Sequence, residues 1–344
     1  MKILKSDLDS AVLKGIISPE QANELNSHFE SLRPEQARFI GLHVLYYFGG
    51  LLILASMSWF LTTAWNDGLL VMGISSLFGV LYLTVGRNLW TKQNLKVPGG
   101  LLITAAVGLT PVFIYGFQKA TGLWLEQAPT SYKDYHMWVK GNWFFMELGT
   151  IFAALIALRF YRFTFITFPL AFSLWYMSMD LTPILFGKDD FTFDERKIVS
   201  CIFGFIVLVL SYFVDKKYKD IDFAFWTYLY GMLAFWGGLS LMDSTSEINK
   251  FIYCLLNILF IVAAVYLRRK VFLVFGTLGV LGYISHLAWK VFKDSYAFPL
   301  ILAVLGLLIV FLGVKYQKNK VQFESFIEKH LPTFLMKWRP SERV

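Results

Sequence analysis

The sequence predicts an all-α polytopic transmembrane helix bundle of about ten spans. A small N-terminal cytoplasmic helical hairpin precedes it, and a C-terminal amphipathic interfacial helix follows. Three observations support this prediction. Of 344 residues, 56% are hydrophobic and only 16% charged, against roughly 45–50% and 25% in a soluble domain. The apolar residues come in blocks of about 20, the length a helix needs to cross a hydrocarbon core of about 30 Å. The basic residues between blocks are dense in alternate loops, as the positive-inside rule requires. This composition excludes an ordinary soluble enzyme of this length. It also excludes a disordered chain, which needs low hydrophobicity and high charge.

Residues 1–38 form the first division. Leu8, Ala11, Val12 and Ile16 recur at helical spacing, and Gly15 stands where a C-terminal cap is wanted. Ser18 then caps a second helix, Pro19 takes its first position, and Gln21 closes a capping box. Ala22, Leu25, Phe29 and Leu32 continue the apolar stripe. That stripe is too small for an independent core. The face carrying Leu13, Ile16, Ser18, Gln21, Leu25 and Phe29 is therefore expected to dock on the rest of the chain, on a second copy or on a partner subunit.

The run Leu13-Lys14-Gly15-Ile16-Ile17-Ser18-Pro19-Glu20-Gln21-Ala22, followed at once by apolar blocks, resembles an uncharacterised bacterial family. Its members are predicted polytopic membrane proteins with a G-x-I-S/T-x-E-Q-A hairpin ahead of eight to ten spans. The resemblance implies a multi-pass fold in a bacterial membrane. That family has no agreed activity, so the resemblance implies no functional residues. The hairpin also looks like short helical hairpins that mediate oligomerisation in other bacterial proteins.

Residues 39–315 form the bundle, with apolar segments at 41–64, 69–86, 97–117, 143–161, 163–180, 198–214, 222–242, 250–267, 271–289 and 297–314. Pro111, Pro169 and Gly108 are candidates to kink the third and fifth. Only Arg159-Phe160-Tyr161-Arg162 separates the fourth from the fifth, and Arg268-Arg269-Lys270 the eighth from the ninth. These read as tight turns, because continuous helices would bury the charges at about 2.5–3.5 kcal/mol each. Those turns, the Lys216-Lys217-Lys219 run and both termini hold most of the 32 Lys and Arg residues. With alternating spans they share one side, which places N- and C-terminus in the cytoplasm. The net charge of +8 is then a topological asymmetry, not a nucleic-acid surface. Trp59, Trp65, Trp90, Trp124, Trp138, Trp143 and Trp289 fall near segment ends, as aromatic belts do. Ala153–Arg159 is weakly similar to Val262–Arg268, a hint of parallel repeats. Residues 316–344 form the tail, where Phe323, Phe326, Ile327, His330, Leu331, Phe334, Leu335 and Trp338 predict a helix lying on the cytoplasmic leaflet.

Candidate functional residues are few. Ionisable groups within a bilayer are candidates by default. Glu147 and Asp180 lie toward the outer ends of the fourth and fifth segments, and His286 toward that of the ninth. Together they would line an outward-facing polar vestibule. Asn257 is the deepest amide, a mid-membrane polar contact. Cys201 and Cys254 sit in apolar runs at matching depth, and read as small buried hydrophobes. The sequence has no metal-spaced His/Cys cluster, no G-x-S-x-G and no H-E-x-x-H, so no catalytic residue, metal or cofactor is assigned. The leading function is permease-like handling of a small or lipidic solute in a bacterial inner membrane, with the lipid bilayer as the expected partner. The alternatives are a scaffold or sensor subunit of a larger complex, and a lipid-modifying enzyme using outer-loop carboxylates.

Overall fold

The computed structural model describes residues 8, 11–12, 14–32, 45, 48–50, 52, 59, 67–124, 132–186, 193–219, 221–242, 244, 246–291 and 297–318. Leu13, most of the segment 41–64 and the interfacial helix at 321–338 lie outside these residues. The chain divides into two compact units, Met1–Trp59 and Phe60–Val344.

In the first unit, Gly15 has φ +67°. Its N–H donates to Val12 O and the Ile16 N–H to Ala11 O, the paired bonds with which a left-handed glycine closes a helix. α1 (Pro19–Leu32) begins with a reciprocal cap. The Gln21 N–H donates to Ser18 Oγ at 3.2 Å and the Ser18 N–H to Gln21 Oε1 at 3.0 Å. Leu8 and Ala22 are buried, whereas Ile16 is 70% exposed and Leu25 36%.

Every described element of the second unit is helical. These are α2 (Gly68–Thr91), α3 (Lys96–Gly108), α4 (Thr110–Ala120), α5 (Tyr132–Phe160), α6 (Thr167–Phe186), α7 (Phe193–Lys217), α8 (Phe225–Ser240), α9 (Glu247–Leu267), α10 (Lys270–His286) and α11 (Ala297–Lys318). A 3₁₀ turn, Thr164–Ile166, leads into α6, and a π-helical turn, Leu287–Val291, ends α10.

Among the described residues, six stretches are long and apolar enough to cross a membrane: Gly68–Thr91, Lys96–Ala120, Trp143–Phe160, Phe193–Lys217, Glu247–Leu267 and Lys270–Lys290. Their outward faces are apolar: on α9, Phe251, Ile252, Leu255, Leu259 and Val262 are all exposed. A surface of that kind is stable in lipid, where packing and not hydrophobicity holds helices together. α8 is shorter, at 16 residues, and spans about 24 Å at 1.5 Å per residue. It is the packing centre, set against α6, α7 and α10.

Two local features depart from the plain segment pattern. Pro111 has no N–H and its ring opposes a carbonyl one turn back, so the third apolar segment breaks at Leu109 into α3 and α4. α5 begins at Tyr132, upstream of the apolar block at 143, because hydropathy marks where lipid begins and not where a helix does.

Among the described residues, two apolar clusters pack the helices of this unit. One joins Leu208 of α7, Tyr228 and Met232 of α8, Ala264 of α9 and Val271, Phe272 and Phe275 of α10. The other joins Ile103 and Val107 of α3, Ala154 and Ala157 of α5, and Ile166. At the interface of α7 and α8, a Cβ on Gly204 would strike the Phe235 backbone. Only glycine permits that approach, a common device where helices pack in lipid.

Candidate functional site: an arginine-rimmed cavity between α5 and α8

The turn after α5 shows how the sequence presents its arginines. Tyr161 and Phe163 flank Arg162, and both rings pack edge-on against Trp90 of α2, at 5.8 and 6.1 Å between centroids. Lys96 Nζ lies 4.9 Å from the Trp90 ring centre and donates to the Trp90 carbonyl at 3.2 Å. With its two neighbours anchored, Arg162 is left exposed, and so is Arg159 in the last turn of α5.

These two arginines rim a cavity of about 530 Å³. Leu155 and Leu158 of α5, Leu170 of α6, Val214 of α7 and Phe223 give it an apolar lining. Thr167, in the first turn of α6, and Thr227, in the first turn of α8, also border it. No side chain caps the N-terminus of α8, so its first N–H groups keep their partial positive charge. Tyr218 completes the rim, with Lys217 Nζ 5.5 Å from its ring centre. The volume falls in the range of roughly 300–1,000 Å³ typical of small-ligand sites.

The carboxylates nearest in sequence to this cavity are held by another group. Arg269, in the turn between α9 and α10, donates from Nε to Asp215 Oδ2 at 2.9 Å, from Nη2 to Asp215 Oδ1, and from Nη1 to Asp222 Oδ2 at 2.7 Å. Its guanidinium lies 5.3 Å from the ring centre of Tyr228. The Asp215 side chain is 2% exposed and that of Arg269 is 12%. Burial opposes the charge on Arg269, but the bonds to Asp215 and Asp222 outweigh it and hold its pKa above the ordinary value. By contrast, Arg159 and Arg162 have no carboxylate partner among the described residues.

The residues expected to form an outward vestibule lie on three helices: Glu147 on α5, Asp180 on α6 and His286 at the end of α10. Glu147 is buried on α5, close to where Gly149 meets Ile114 of α4. His286, at the end of α10, meets Glu247 at the start of α9, with its Nε2 3.0 Å from Oε2. α5 packs on α3, α4 and α6, whereas α10 packs on α8 and α9. Asp180 lies on α6, and its side chain is outside the described residues.

Asn257 is fully buried and ties three elements together. Its Oδ1 accepts from Trp236 Nε1 of α8 at 2.9 Å, and its Nδ2 donates to Tyr253 O at 2.8 Å. It lies against Gly279 of α10, where any Cβ would collide with the amide. Cys201 and Cys254 are free thiols. Among the described residues no group of three His, Cys, Asp or Glu stands together as a metal site would need.

Sequence reasoning used Arg159 and Arg162 only as markers of topology. The overlooked signal was two arginines three residues apart in a turn with no acidic neighbour. No family model matches the chain, and no curated protein or solved structure is similar to it.

Proposed function

We propose that this integral membrane protein handles a lipidic solute, permease-like, through the cavity between α5, α6, α7 and α8. The observation behind this reading is the cavity itself, apolar along most of its lining and bordered by two arginines. Such a division suits an amphiphile, because each part of the ligand meets its own kind of surface. In this reading the chain has ten spans in a bacterial inner membrane, both termini are cytoplasmic, and the cavity opens on the cytoplasmic side.

Lipid analysis of the full chain purified in mild detergent tests this. One phospholipid should accompany each chain, and Leu170→Trp, which narrows the cavity, should weaken its retention. Reconstituted chain should also move a fluorescent short-chain lipid between leaflets faster than empty vesicles do. Chain that carries no stoichiometric lipid and moves none contradicts the proposal. Orientation is tested by labelling cysteines introduced at Asp67 and Lys217 in sealed cells. A label that reaches position 67 only after lysis overturns it.

A scaffold or sensor role is the second reading, supported by the exposed Ile16 and Leu25 of the first unit. It expects a partner, or self-association, that is lost from mild-detergent purifications when residues 1–33 are removed. A complex unchanged by that removal argues against it.

A further inference from the structure

We propose that the cavity selects an anionic phospholipid, with Arg159 and Arg162 holding the phosphate and the apolar wall holding the upper part of an acyl chain. This rests on the lipid-handling reading above and adds the headgroup chemistry to it. Four observations converge. The first is uncompensated charge. Arg269 is bonded to Asp215 and Asp222, Lys197 to Asp194 and Lys250 to Glu247, while Arg159 and Arg162 rim the cavity with no such partner among the described residues. The second is the donor type. Guanidinium groups present paired N–H donors that match two oxygens of a phosphate, which a lone ammonium cannot do. The third is the first turn of α8, uncapped by any side chain and contributing Thr227 to the border. Helix N-termini favour anions through their N–H groups and dipole.

The fourth decides between a lipid and a soluble phosphate. Leu155 belongs to the cavity wall and is also half exposed. It continues the outward stripe of α5 that includes Phe152, Ile156 and Phe160. A chain seated on Leu155 can therefore leave the cavity along an apolar face without entering water. A soluble phosphate ester would leave that wall unused. A zwitterionic lipid brings its own cation next to two guanidinium groups and loses much of the attraction. The inner leaflet is also where anionic lipids concentrate.

The test uses the full chain in nanodiscs of neutral phosphatidylcholine. Phosphatidylglycerol, phosphatidylcholine and water-soluble glycerol 3-phosphate are titrated and read by native mass spectrometry. Phosphatidylglycerol should bind at one site at least tenfold more tightly than phosphatidylcholine, and glycerol 3-phosphate should not displace it at millimolar concentration. In the Arg159→Gln/Arg162→Gln variant the preference should fall to about unity while phosphatidylcholine still binds. Arg87→Gln removes an exposed arginine of α2 away from the cavity and should leave the preference intact. Equal affinity of the two lipids for the wild type overturns the headgroup assignment, yet leaves lipid handling standing. Displacement by glycerol 3-phosphate shows a small-anion site and overturns the choice of a lipid. Loss of preference in Arg87→Gln shows a diffuse charge effect and overturns the site. The wild-type comparison alone decides the matter if the double variant fails to fold.

Discussion

Arg269→Gln separates a structural arginine from a ligand-binding one. Arg269 makes two bonds to Asp215 and one to Asp222, and the Asp215 carboxylate is 2% exposed. The substitution removes the guanidinium bonded to that buried carboxylate, and breaking one side of a buried pair costs about 3–5 kcal/mol. At about 1.4 kcal/mol per factor of ten, the folding equilibrium falls by at least two orders of magnitude. Arg159→Gln and Arg162→Gln remove exposed groups that share no ion pair among the described residues, so each should stay within about 0.5 kcal/mol of wild type. The assay is reversible unfolding of the full chain in mild detergent, followed by the fluorescence of its 11 tryptophans. A second variant, Arg269→Met with Asp215→Leu, removes both buried charges and should recover most of the loss. The reasoning fails if Arg269→Gln costs under 1 kcal/mol, or if Arg159→Gln costs as much.

Three further outcomes follow from particular contacts. Gly279→Ala forces a methyl group onto the Asn257 amide and should destabilise by about 1–3 kcal/mol, the usual cost of overpacking, measured by the same unfolding assay. Trp236→Phe removes one interhelical hydrogen bond to Asn257 and should cost about 0.6–2 kcal/mol, as such bonds do in membranes. Ser18→Ala removes the acceptor for the Gln21 N–H; at about 1 kcal/mol per cap, exchange of the first α1 amides should speed several-fold, read by hydrogen exchange.

Much of the second unit was legible because lipid imposes one strong rule: every backbone group must be satisfied within the segment. Long apolar runs therefore had to be helices, and the runs at 69–86 and 250–267 coincide with α2 and α9. Gly108 and Pro111, expected to kink the third segment, bracket the break at Leu109. The polar upstream part of α5 was not, since nothing in its composition separates helix from loop. Long-range pairing was equally hidden. Arg268, Arg269 and Lys270 look alike in sequence, yet Arg269 is bonded to carboxylates 54 and 47 residues away. Only the three-dimensional path of α7 and α8 brings Asp215 and Asp222 to it. The same path decides the site. Arg159 and Arg162 become a candidate phosphate clamp because Asp215 and Asp222 are bonded to Arg269, and because Val214 and Phe223 line the same cavity as Leu155 and Leu158. Asn257 stood out as a deep amide, but its role as a tie between α8, α9 and α10 depends on Trp236 and Gly279, which no local pattern links to it.

The most direct test is an experimental map of the full chain in nanodiscs containing phosphatidylglycerol. Density for one lipid should fill the cavity between α5 and α8, its phosphate within about 2.7–2.9 Å of the guanidinium nitrogens of Arg159 and Arg162, with an acyl chain passing along Leu155. A cavity closed by its own side chains, or lipid density only around the outer faces of the helices, would contradict lipid handling at this site.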